Sequence, residues 1–379
     1  MRALVAFDKF KDALTAGDAC AAARSGLGAH EIDCCPLTDG GEGFSAILTE
    51  AAAGRIVPAT VTGPRGAPVA AGYGLVALEK IPAAARAKMN LAATGEIAVI
   101  EMARASGLAL LAPAERDPWL TTSRGTGELI RAAAQAGVRA ILLGVGGSAT
   151  HDVGLGALSV LGLKFRDSLG GEVADPIPSN WAAVAAIEGT IEPSLPPIFI
   201  ACDVANPLMG TFGAASVYAP QKGLLPEDFT RLEYMTGRMA ALLTTHAGKH
   251  PLLCETPGAG AAGGIAFGLM CTLGAQLLPG FEFVSAWFNL ERRLADADVV
   301  LTGEGRFDDS SLQGKGPGSI VRRALELQKP VHVFAGQIAV TQPPAGLNLH
   351  ALTPPGTPLA DALASTREDL RAAVQRTFP

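Results

Sequence analysis

Short apolar runs recur along this chain, and most of them end on a glycine, an acid or a lysine. Runs of that kind bounded by turn residues read as buried strands. The first is Arg2-Ala-Leu-Val-Ala-Phe7, followed by Asp8-Lys9-Phe10-Lys11-Asp12. Thr15 then reads as an N-cap with Asp18 three residues on, opening a helix through Ala19–Leu27 that Gly28 stops. Cys34–Leu37 is a second strand and delivers Thr38-Asp39-Gly-Gly-Glu-Gly43 to the next turn. Arg139-Ala-Ile-Leu-Leu143 leads into the glycine-rich Gly144–Gly156, and a helix follows over 157–163. Ile198–Ala201 ends in Cys202-Asp203, and Asp298–Thr302 ends in Gly303-Glu304-Gly305-Arg306-Phe307-Asp308. Strands alternating with helices in this way predict an α/β protein.

The character changes between residues 55 and 78, where 57–62 and 69–78 predict a hairpin turning at Pro64-Arg65. Ile97–Met102 is a strand, and Lys80–Gly95 shows no usable pattern. A helix opens near Thr121-Thr-Ser-Arg-Gly, with Ser123 as N-cap and Gly137 as stop. Residues 167–197 read as loop with one helix over Trp181–Ile187, and Pro226–His246 as a long amphipathic helix. Gly258-Ala-Gly-Ala-Ala-Gly-Gly264 opens another helix, its glycines serving either close packing or a backbone anion nest. The strand–helix alternation returns near 295, with a helix over 320–328, a strand over 330–335, a possible strand over 350–353 and a closing helix over 360–378.

A chain of 379 residues suits about two domains, and 49% hydrophobic against 17% charged residues lets it bury a large core. The net charge of −6, with no basic run, argues against nucleic acid as the main partner. Six cysteines without a C-x-x-C pair do not suggest a disulfide framework or a zinc site. The N-terminus enters a strand at once, without a signal-peptide pattern, and no apolar run approaches the ~18 residues of a membrane span. The cytoplasm is the expected compartment.

Ligands of open α/β sheets bind beyond the carboxyl ends of the strands. Asp8, Asp39, Asp203, Glu304 and Asp308 all fall at or just after such ends, Asp152 sits in the central glycine turn, and Lys11, Lys222 and Lys315 accompany them. The alternative for Asp8 and Asp39 is plain helix capping. Acids, lysines and glycine turns together suit nucleotide-dependent phosphoryl transfer. Carboxylates hold Mg²⁺ or accept a hydroxyl proton, while lysines and backbone N–H groups neutralise phosphate. The Walker A, protein-kinase and G-x-S-x-G motifs are all missing.

Taken together, eight motifs in order resemble the type I glycerate kinase family. They are Asp8–Ala16, Asp39–Gly43, Thr121–Leu129, Gly146–Thr150 with Asp152, Ala201–Val204 with Asn206–Leu208, Pro220–Gly223, Gly258–Gly264, and Thr302–Arg306 with Asp308 and Gly314-Lys315. The resemblance spans residues 1 to about 340. It implies an ATP- and Mg²⁺-dependent kinase of D-glycerate giving 2-phosphoglycerate. It also implies a discontinuous flavodoxin-like (Rossmann-like) domain over 1–60 and 290–379, with a mixed-sheet α/β domain over 61–289 inserted into it and the active site in the cleft between them. The sequence departs from the family at Lys9, His151, Val153 and Leu155, and in its short tail.

On this reading Asp8, Lys9, Lys11 and Arg124 are the candidates for binding substrate, since arginine offers a carboxylate a bidentate fork. Asp203 or Asp39 accepts the hydroxyl proton, with Lys11 and Lys222 assisting catalysis. Gly146, Gly147, Ser148, Thr150, Asp152 and Lys315 are candidates for the nucleotide phosphates, and Glu304 and Asp308 for Mg²⁺. The alternatives are 3-phosphoglycerate as product, a related small hydroxy acid as substrate, and a catalytically inactive glycerate-binding regulator. A dinucleotide-dependent oxidoreductase is disfavoured by the missing G-x-G-x-x-G after the first strand. The expected partners are small molecules alone, in a monomer or homodimer.

Overall fold

The structure is a computed structural model and describes residues 1–313 and 316–379. In chain order its strands are β1 Arg2–Phe7, β2 Glu31–Cys34, β3 Arg55–Thr62, β4 Pro68–Ala77, β5 Glu96–Glu101, β6 Ala140–Gly144 and β7 Leu163–Arg166. They continue with β8 Ala186–Gly189, β9 Ile198–Ala201, β10 Gln276–Leu278, β11 Val299–Asp308, β12 Val331–Ala339 and β13 Leu347–Ala351.

Met1–Asp39 and Phe281–Pro379 form one compact unit. Its sheet runs β13-β12-β11-β1-β2, with every pairing parallel. Numbered within the unit this is the order 2-1-3-4-5, the flavodoxin-like winding. Residues 3–7 of β1 are completely buried, as a central parallel strand requires. Ala3, Val5 and Phe7 join one cluster with Ala19, Ala22 and Ala23 of helix Ala16–Gly26 and Leu370 and Val374 of helix Leu359–Thr377. Thr15 caps the first helix as the sequence predicts, its hydroxyl accepting from the Asp18 amide at 3.1 Å. The order reverses between β1 and β11, so their carboxyl ends flank the switch point where such sheets hold ligands.

Two strands differ from expectation. β2 starts at Glu31, yet the chain beyond it still follows β1, with the Cys35 and Leu37 amides donating to the Val5 and Phe7 carbonyls at 2.8 Å. β11 does not stop at Thr302 but continues to Asp308, paired with β12 up to Ala339. Gly303, Gly305 and Gly336 permit this, since a Cβ at Gly303 would lie 1.8 Å from the Phe334 carbonyl oxygen.

Gly40–Gly280 forms the second unit. Its sheet runs β10-β9-β6-β5-β4-β3, parallel from β5 to β10 and antiparallel through the β3–β4 hairpin and β5. The units divide at 39/40 and 280/281, where the expected domains met near 60 and 290. Helix Phe44–Ala51 is the reason at the first boundary: the Ser45 hydroxyl donates to the Val99 carbonyl of β5 and accepts from the Gly74 amide of β4. Residues 181–187 are not a helix; a 3-10 turn over Pro178–Ala183 precedes β8, which pairs with β7. The unpatterned 80–95 stretch holds the short helix Ala83–Lys88. Among the described residues all six cysteines are free, and no helix is long and apolar enough to cross a membrane.

Candidate active-site residues

In the first unit the carboxyl ends of β1 and β11 gather acids. Phe7 is in register with Gly303, so Asp8 and Glu304 come next on adjacent strands, and the Asp8 amide donates to the Gly303 carbonyl at 3.0 Å. Burial, then the charge of Asp39, pushes the Asp8 carboxyl up to about 6, against the pull of the Lys9 amide and charge. Burial pushes Glu304 up to about 7, and the charges of Asp8, Asp308 and Asp39 add to it. Among the described residues, Glu304 Oε1 and the hydroxyls of Thr38 and Thr302 are buried without a hydrogen-bond partner. Gly316 begins helix Gly316–Glu326 close enough to Asp8 that a Cβ there would stand 3.3 Å from its Oδ2. A helix N-terminus beside this carboxylate favours its charged form.

Asp308 is differently placed. Its Oδ1 accepts from the Ser310 hydroxyl at 2.6 Å and the Ser310 amide at 3.0 Å, and its Oδ2 from Arg306 at 3.1 Å. These bonds hold its carboxyl below the usual range and use both oxygens. Among the described residues no three His, Cys, Asp or Glu side chains meet closely enough to hold a metal ion. Lys9 is half-buried and Lys11 exposed. Lys315 lies outside the described residues.

In the second unit the central glycine turn is filled from within. Asp152 is fully buried, and its carboxylate accepts from the Ser123 amide and hydroxyl, both at 2.7 Å, and from the Gly154 and Gly156 amides, both at 3.1 Å. The protein's own acid thus takes two of the backbone donors, Gly154 and Gly156, that the strand–turn–helix pattern offered to a ligand. Ser123 stands at the N-cap position of helix Arg124–Gln135 as expected, but its hydroxyl caps no amide of that helix and instead bridges Asp152 and the Ala157 amide. Gly146 is spoken for as well, since a Cβ there would lie 2.5 Å from Gly41 Cα and its amide donates to the Gly40 carbonyl. Gly147 adopts φ +73°, which glycine supplies without strain.

Lys222 lies beneath this turn, 2% exposed, and its Nζ donates to Ser148 Oγ at 2.9 Å and to the Thr150 carbonyl at 2.6 Å. Burial brings its pKa down to about 7, opposed by the charge of Asp152. His151 is fully buried, and burial, then Lys222, holds its pKa down to about 3, so the ring is neutral. The Thr236 hydroxyl already donates to the Leu232 carbonyl, so His151 Nε2 donates to Thr236 Oγ1. His151 is thus a buried loop residue tied by its ring to Thr236. The Gly258–Gly264 run is resolved in favour of close packing. A Cβ at Gly260 would lie 2.2 Å from the Pro207 carbonyl oxygen, and one at Gly263 would lie 2.1 Å from that of Thr150.

Asp203 follows β9 and is half-buried. Arg124, which the sequence offered to a substrate carboxylate, faces Glu128 one helical turn on at 3.5 Å. Glu128 also receives the Thr62 amide and hydroxyl. Sequence reading missed Glu101, a 2%-exposed acid that ends β5 and accepts from the Ser45 amide. The signal was there, an acid closing an apolar run.

The model of the glycerate kinase family matches residues 3–378. The chain belongs to this family. It is 38% identical over 346 residues to a glycerate kinase of Haemophilus influenzae, which covers 89% of this chain and 86% of the relative. It is equally identical, with the same coverage, to a glycerate 2-kinase of Escherichia coli. A solved structure from Salmonella typhimurium, provisionally assigned as a glycerate kinase 2, superposes with a TM-score of 0.78 at 39% identity. That match covers 100% of this chain and 97% of the other. Family membership makes the protein a kinase, a phosphotransferase with an alcohol group as acceptor.

Proposed function

We propose that this protein transfers the terminal phosphoryl group of ATP to D-glycerate in the presence of Mg²⁺, giving 2-phosphoglycerate and ADP. The observation that carries the reading is the crowding of Asp8, Asp39 and Glu304 around the switch point of the first unit, with Glu304 Oε1 buried and, among the described residues, unpartnered. Carboxyls that repel one another without a cation are stabilised by binding one. An all-oxygen donor set fits Mg²⁺, which keeps several waters and takes phosphate oxygens, so it needs no cage of three protein acids. When bound, Mg²⁺ neutralises charge on the phosphate oxygens. Glu304 and Asp8 are the residues suited to hold it directly or through water. Asp308, with both oxygens engaged, is better suited to steadying the strand end.

Asp203 or Asp39 accepts the proton of the attacking hydroxyl, a role that needs a carboxylate within reach of it. Lys9 and Lys11 have ammonium groups to offer the glycerate carboxylate, and Arg124 has its guanidinium to offer only by loosening its pair with Glu128. Transfer to the 2-hydroxyl is favoured by the relative named as a glycerate 2-kinase. The protein works in the cytoplasm as a monomer or homodimer.

The test is ADP release with ATP, Mg²⁺ and D-glycerate, with product coupled to enolase. Signal through enolase alone establishes the 2-phosphate. Signal only after phosphoglycerate mutase is added means the 3-phosphate. No ADP release with D-glycerate, but release with another hydroxy acid, moves the substrate; no release with any acceptor leaves an inactive binder.

A further inference from the structure

A fully buried lysine demands an account. Taking an ammonium out of water costs free energy unless its donors are used. Lys222 spends two donors on one short segment, the Ser148 hydroxyl oxygen and the Thr150 carbonyl, both in the glycine-rich turn. On the other side of that segment Asp152 is held by Ser123, Gly154 and Gly156. The turn from 148 to 156 is thus fixed at one end by a cation and at the other by an anion. A serine hydroxyl has one proton to give and two lone pairs to receive with. Ser148 receives from Lys222, and among the described residues its own proton has no acceptor. The residue is 7% exposed, so its hydroxyl lies at the edge of the buried network.

We infer that Lys222 is a positioning residue for the glycine-rich turn: its Nζ sets the Ser148 hydroxyl so that this hydroxyl donates to an oxygen of the anionic group bound at the turn, a phosphate or a carboxylate. The inference rests on the proposed kinase activity. It differs from the expectation that Lys222 itself neutralises phosphate, because both of its contacts are with the protein. It also gives the turn a side-chain contact to its ligand, where the Gly146, Gly154 and Gly156 amides are already engaged within the protein.

Position and charge make different demands on pH. Losing a proton leaves an amine with two N–H groups, the number Ser148 and Thr150 require. The groups whose charges act on Lys222 are Asp152, which favours its protonated form, and His151, which is neutral and stays so. Positioning therefore survives deprotonation, whereas direct neutralisation of phosphate does not.

The experiment compares the wild-type chain with Ser148→Ala, Lys222→Met and the double variant, measuring kcat and the KM of ATP and of D-glycerate. A wild type that releases no ADP overturns the kinase reading itself and is thereby distinguished. With an active wild type, Ser148→Ala lowers kcat/KM roughly 10- to 100-fold, as for one hydrogen bond to a charged group. The loss enters through the KM of ATP if the turn holds phosphate and of D-glycerate if it holds carboxylate. Lys222→Met loses at least as much, and the double variant loses no more than Lys222→Met, because the two act in series. The pH profiles of wild type and Lys222→Met keep the same shape between about pH 6 and 8.5, a range spanning the group's titration. Losses that multiply in the double variant overturn the inference, as does a wild-type fall above neutral pH that Lys222→Met lacks. If Lys222→Met does not fold, Ser148→Ala decides alone, and unchanged kinetics sink the idea.

Discussion

Asp8 and Glu304 stand side by side on β1 and β11, one residue past the registered pair Phe7 and Gly303, and the charge of Asp8 helps raise the Glu304 carboxyl. Neighbouring acids held above their ordinary range are a liability to the fold and a resource for cation binding. Both folded pKa values lie above the unfolded ones, about 6 against 3.8 and about 7 against 4.5. Their favourable contribution is present below the unfolded values and is lost as pH rises toward 7. Glu304→Gln should therefore stabilise the metal-free protein at pH 8, by on the order of 1 kcal/mol after discounting for partial exposure, and so raise its melting temperature. It should also cut kcat/KM by at least tenfold, the trade expected of an active-site acid. Melting curves at pH 5 and 8, with and without Mg²⁺, check it, and an unstabilised variant at pH 8 would contradict the crowding.

Substitution of Asp152 should destabilise the protein instead. Its carboxylate accepts four hydrogen bonds inside the second unit. Asp152→Ala leaves those donors buried without an acceptor, at about 1–3 kcal/mol for each one not rescued by water. The urea midpoint should fall sharply, and the glycine turn should become sensitive to proteolysis. A variant as stable as wild type would show that the turn is held by other means.

Gly263 tests whether the 258–264 glycines serve packing. It sits at φ +73°, and a Cβ would meet the Thr150 carbonyl oxygen at 2.1 Å. Gly263→Ala should cost about 2–4 kcal/mol from overpacking and left-handed strain together. Because the contact falls on the turn that carries Ser148, activity should drop as well. Chemical denaturation and steady-state kinetics measure the two losses.

His332 and His350 give the first unit an acid limit. Their Nδ1 and Nε2 atoms lie 3.0 Å apart, with Phe378 edge-on to His332 at 4.9 Å. Burial, then His350, brings His332 down to about 4. A folded value below the unfolded 6.5 means that stability is present above pH 6.5 and is lost as pH falls toward 4. Both rings cannot protonate while they share that bond, so the C-terminal residues should loosen first. His332→Gln should flatten the stability slope between pH 4 and 6.5, read by thermal melts across the range.

The sequence by itself determined the α/β class, the first strand and its capped helix, the hairpin, and the set of acids placed at strand ends. Each of these is written locally, as an apolar run, a capping hydroxyl or a turn residue, and local patterns need no knowledge of what lies across the sheet. Asp8 and Glu304 were legible one at a time for that reason. Their adjacency was not, because it depends on the parallel register of strands almost 300 residues apart. Only tertiary structure decided that Asp152 occupies the glycine turn, that Lys222 props it from inside, and that Arg124 is already paired. A glycine-rich turn looks the same in sequence whether a ligand, another backbone or a buried carboxylate fills it. What fills it is fixed by packing between distant segments, where burial makes every unpaired donor costly and so selects a partner from within the protein.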